Sequence, residues 1–209
     1  MASKPVFVIA AEVAAELNRG MLIAKRLLLV ASNARALALR AGESAAGFRP
    51  ITDSIDDLVR VTLDTSQTIN VKAQNLSKIA TAGTRASSAV DRFDLAYSKN
   101  PDAKYLSTLD LARESNQSEY SEISHRFCSE AKSLHDMLQT LYDELRIAQI
   151  ISTMLSVEAS QADEKYQAQL NTIADSVTEL AEAIQKHVLQ SLKLFSLFAR
   201  VNYAIKSTI

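Results

Sequence analysis

Four stretches of the chain repeat apolar residues at alternating steps of three and four, and this periodicity limits the fold more than any other feature. The first runs from Val6 through Ile9, Val13, Ile23, Leu27 and Val30 to Leu37 and Ala41, with Glu16 as its one charged exception. The second runs from Ile51 and Ile55 through Leu58, Ile69, Leu76, Ile79 and Phe93 to Tyr97. A third takes in Phe127, Leu134, Leu138, Leu141, Leu145, Leu155 and Ala162; a fourth takes in Leu170, Ile173, Val177, Ile184, His187, Leu194 and Phe198. Four long amphipathic helices follow.

Their breaks are short. "GESAAGFRP" separates the first two helices, with Pro50 in the opening turn of the second. At "KNPDAK" Asn100 is placed to cap and Pro101 to occupy the first position of the third helix, expected over 101–162, and "ADEKYQ" marks a softer break before the fourth. Short connections between long helices predict an all-α, elongated, antiparallel four-helix bundle, one domain over 1–209, built of a hairpin over about 1–98 and a second over about 101–209. The third helix is too long for its neighbours, so its polar section from Arg113 to Glu122 is expected to be a kink, an overhang or a local loop.

Composition agrees. Aromatic residues make up 6% of the 209, there is no Trp, and 4 Gly with 3 Pro are too few for the turns of a sheet protein. With 23 basic against 24 acidic residues, well mixed, the chain offers no field for a nucleic-acid backbone or an anionic membrane. Charges interrupt every apolar run, so no membrane span is expected. The single cysteine, Cys128, and an opening without a secretory leader point to the cytoplasm.

The two predicted hairpins repeat each other across their turns. "ITDSIDDLV" from Ile51 matches "IADSVTELA" from Ile173, and upstream Ala38, Ala41 and Glu43 match Ala159, Ala162 and Glu164. Duplication of one helical hairpin puts both turns at the same end.

The first turn resembles the cytoplasmic hairpin tip of methyl-accepting chemotaxis receptors. Asn33, Ala34, Ala38, Arg40, Ala41, Gly42, Glu43, Gly47, Phe48, Ile51, Asp53, Ile55 and Leu58 fall in that family's register without a gap. The likeness covers about 23–59 well and the second hairpin weakly. It implies a soluble, non-enzymatic signalling or scaffold protein that needs no cofactor or metal. It also implies a tip that binds the chemotaxis histidine kinase, its coupling adaptor or neighbouring chemoreceptors through Val30, Asn33, Arg40, Glu43, Phe48, Ile51, Ile55 and Glu158. In the family two subunits each give one hairpin; a chain holding both would be an elongated monomer that imitates a receptor dimer.

Departures from the pattern are specific. Leu37 stands where the family has a tip glutamate, which reappears as Glu158; the tip arginine is kept as Arg40 and becomes Gln161 in the second hairpin; Ala46 replaces the turn arginine. No paired Glu or Gln among small residues offers a methylation site.

Three rivals remain. One is a structural or adaptor bundle without a chemotactic partner. A di-iron bundle needs two Glu-x-x-His motifs, and the chain has one, Glu122 to His125, with His187 on a predicted seam. Phosphotransfer on His125 lacks the acidic residue that should follow the histidine and any nucleotide-binding domain.

Overall fold

A computed structural model describes the backbone of residues 6–206, and their side chains except at 6, 7, 10, 44, 45 and 197–206. The chain is an all-α bundle, with no strand among the described residues. Helix α1 spans Val6–Ala41 and α2 Phe48–Lys99; α3, Asp110–Leu145, runs on into α4, Ile147–Gln161; α5 spans Glu164–Lys206. Between α3 and α4 only Arg146 departs from the ladder, and its φ of −65° and ψ of −25° keep the two almost continuous. That makes four rods. Helix α1 packs on α2 and α5, and the α3–α4 rod packs on the same two, so α1 and the α3–α4 rod occupy opposite corners.

The predicted seams form the core. Leu27, Ile55, Ile69, Leu76, Leu134, Leu138, Leu141, Leu145, Leu155 and Leu170 are fully buried. Burial of each such side chain contributes about 1.5–3 kcal/mol, which is why periodicity and not helix propensity decides the fold. The charged exceptions meet one another. Glu16, on α1, accepts a hydrogen bond at 2.7 Å from Nδ1 of His187, on α5. Likewise Lys72 on α2 reaches Glu130 on α3 at 3.3 Å. Buried Thr62 donates its hydroxyl to the Leu58 carbonyl at 2.7 Å, satisfying itself within its own helix.

The third helix begins later than the capping pattern predicts. Asn100 ends α2, its N–H bonded to the Ala96 carbonyl, and Pro101 and Asp102 form a turn; helix resumes with a 3₁₀ segment at Leu106–Leu109 and then α3 at Asp110. Tyr97 explains the shift. Its hydroxyl reaches both the Leu106 carbonyl, at 3.2 Å, and the Asp110 carboxylate, so the loop is tied to α2 before α3 starts. The polar stretch from Arg113 to Glu122 is regular helix within α3. It belongs to an overhang. Ala86 is the last buried residue of α2 and Phe127 the first of α3, so between them these two helices extend as a pair without a core. Arg113 holds them together, bonded to Asp94 at 2.7 Å and stacked 4.5 Å from the Tyr97 ring.

Candidate partner-docking tip

Both turns lie at one end of the bundle. Helix α1 stops at Gly42, whose φ of 61° lies in the left-handed region that only glycine enters without strain. A 3₁₀ turn, Gly42–Ala45, follows and packs against α4 of the other hairpin. The Tyr166 hydroxyl, at the start of α5, donates to the Arg40 carbonyl at 3.2 Å, satisfying an acceptor that the end of α1 leaves open. The second turn closes on itself, with Gln167 Nε2 donating to the Ala162 carbonyl at 2.9 Å.

Gly47 of the first hairpin lies against Glu158 of the second. A Cβ built on Gly47 would overlap the Glu158 carboxyl group, so the glycine leaves the space in which that side chain lies. Gly47 precedes the first residue of α2 and supplies no side-chain cap. A carboxylate beside this end of α2 lies near the positive end of its dipole, an arrangement worth about 0.3–1 kcal/mol near a surface. Nearby, Arg35 bridges α1 to α2 through Asp53, at 2.9 Å, and Asp56.

The eight residues that the resemblance names divide by exposure. Asn33, Arg40 and Glu43 are exposed and free to meet a partner, with Arg40 Nε turned back to the Ala36 carbonyl at 3.3 Å. Val30 is half-buried against the core and Glu158 half-buried against Gly47. Phe48, Ile51 and Ile55 are buried, at 0%, 4% and 0% exposure, so their side chains pack in the core and not on the exposed face of the tip. They plug the end of the core beneath the turn. Leu37, which replaces the family's glutamate, is buried too.

Sequence reasoning missed what surrounds these positions. Leu29 and Leu39 are exposed on α1, and Ile147, Ile150, Met154 and Val157 form an exposed row along α4. The signal was present as "IAQIISTMLSV", eleven residues without a charge between Arg146 and Glu158. Elsewhere, His125 and His135 are exposed on α3, and Glu122 with His125 stands on the overhang, apart from the Glu16–His187 pair. No cluster of three metal-ligating side chains occurs among the described residues. A groove of about 740 Å³ follows α2 from Thr81 to Ala96 at the far end, with Arg85, Arg92 and Phe93 in its lining. No helix is long and apolar enough to cross a membrane among the described residues. Comparison with family models, with curated proteins and with solved structures finds no match for the chain.

Proposed function

We propose that this chain is a chemoreceptor-like signalling scaffold of the cytoplasm, whose tip docks a chemotaxis histidine kinase or the adaptor that couples it to receptors. The observation that carries the reading is the convergence of both turns, joined by Tyr166 to Arg40 and by Glu158 over Gly47, beneath exposed Asn33, Arg40 and Glu43. These three positions keep the family's register, and rigid helices present them on a pre-organised end, which lowers the ordering cost of binding. One chain would then supply the four-helix tip that receptors build from two.

A second reading is a structural bundle that retains the tip without its partner. Burial of Leu37 where the family carries a glutamate favours it, because one charged element of the docking surface is gone. Capture separates the two. Immobilised full-length chain should retain purified kinase or adaptor with a Kd of about 10 µM or tighter. Arg40→Glu with Glu43→Lys should abolish retention while leaving the melting temperature unchanged, since both side chains are exposed. Absence of retention for either protein overturns the docking reading. Substitutions at Ile51 do not serve here, because they unseat the core.

A further inference from the structure

We propose that the outer ridge of α2 is the contact surface for a second copy of this chain, which docks antiparallel to the first about a two-fold axis at Val71. The proposal rests on the order of charges along that ridge and not on the chemotactic reading of the tip. Asp57, Asp64, Val71, Lys78, Arg85 and Arg92 follow one another at intervals of seven residues, and all are exposed. The buried seam of α2 keeps the same interval through Ile55, Thr62, Ile69 and Leu76, so the charged row stays on the side of the helix away from the core. Acid fills the half nearer the tip and cation the half nearer the overhang. Between them stands Val71, an aliphatic side chain 56% exposed.

Charge complementarity selects the occupant, because the row complements itself when reversed. Asp64 and Lys78 lie seven residues on either side of Val71, and Asp57 and Arg85 lie fourteen. Two antiparallel copies therefore set Asp64 on Lys78 and Asp57 on Arg85, each twice, around a contact of Val71 with Val71. Lys78 and Arg85 form no ion pair within the described residues of their own chain, and Asp57 holds Arg60 at 2.8 Å in a pair exposed on both sides. On the flanking rows Val61 meets Ala82, Gln67 meets Gln74 and Arg60 meets Thr81, contacts that bring no like charges together.

Other arrangements match the row less well. Parallel pairing in register sets aspartate on aspartate and cation on cation. A slip of one heptad in the antiparallel pair sets Lys78 against Val71 in both copies. A staggered parallel contact, or docking of the cations on the acids of another helix such as Asp136 and Asp143 of α3, is head-to-tail and does not close. Exposed ion pairs are weak and screened by salt, so the dimer depends on concentration and on ionic strength. Because Val71 lies near the middle of α2, Phe48–Lys99, the two rods overlap along most of that helix, the tip of each beside the overhang of the other.

Sedimentation equilibrium of the full chain, up to about 1 mM in about 20 mM salt, tests the association. The mass should rise from 22.9 kDa towards twice that value and fall back to the monomer in about 0.5 M salt. Asp57→Lys with Asp64→Lys should weaken the dimer about tenfold or more, and adding Lys78→Asp and Arg85→Asp to the same chain should restore it. All four side chains are exposed, so each variant should keep the helical circular-dichroism spectrum. Register is read in a Cys128→Ser background, where chains carrying Val71→Cys should couple to one another under oxidation. A chain that stays monomeric in low salt, a reversal that leaves the dimer unchanged, an exchange that fails to restore it, or Val71→Cys chains that do not couple overturn the proposal. Retention of a monomeric chain on heparin would assign the cations to an anionic partner and overturn it as well.

Discussion

The carboxyl group of Glu158 lies where a side chain on Gly47 would have to be, so one residue from each hairpin shares a single volume at the tip. Glutamate is long and flexible, and it can swing outward when displaced. Gly47→Ala should therefore cost less than about 1 kcal/mol while expelling the Glu158 side chain from the α2 N-terminus. Gly42→Ala is the opposite case. No atom lies within 4 Å of its Cβ position, yet the φ of 61° makes the substitution cost about 1–2 kcal/mol. Thermal melts of the two variants check this order.

Glu16 and His187 join α1 to α5 across 171 residues of sequence, and both side chains are less than a quarter exposed. A double-mutant cycle with Glu16→Ala and His187→Ala should return a coupling of about 0.5–3 kcal/mol in chemical denaturation. Additive single effects would mean that the contact contributes nothing to stability.

Core and docking positions within the tip motif should separate by stability. Ile55→Ala removes a fully buried side chain and should cost about 2–5 kcal/mol. Asn33→Ala, on the exposed face, should stay within about 0.5 kcal/mol. Urea unfolding measures both.

At the other end, Asp110 accepts a hydrogen bond from the Tyr97 hydroxyl, and this bond, with burial adding to it, raises the phenol's pKa above its ordinary 10.0. A raised folded-state value stabilises the protonated form. The stabilisation is therefore complete below pH 10.0 and is lost as pH rises through the folded value. Ultraviolet titration of the native chain minus that of Tyr97→Phe should show one phenol ionising above the ordinary range.

The bundle was legible in the sequence because its stability comes from seams whose period can be counted. Ile51 and Ile55 belong to the second seam, and that periodicity already argued for burial when the tip motif suggested contact. Register in a motif names positions and not the faces they turn to. Asn100 and Pro101 fit a helix start, but the tie from Tyr97 to Leu106 and Asp110 acts across the loop, where local preference carries no information. Glu16 and His187 each read as a flaw in its own seam. Their pairing depends on how α1 and α5 align, and neither helix encodes that alone.

A distance across the tip tests the central claim that two turns of one chain build one end. Spin labels on Glu43→Cys and Asp163→Cys, in a Cys128→Ser background, report it by pulsed dipolar spectroscopy. Packed helix axes about 10 Å apart predict a single population below about 25 Å. Turns at opposite poles would be separated by the length of α1, whose 36 residues span roughly 54 Å, and a distribution centred there would contradict the account.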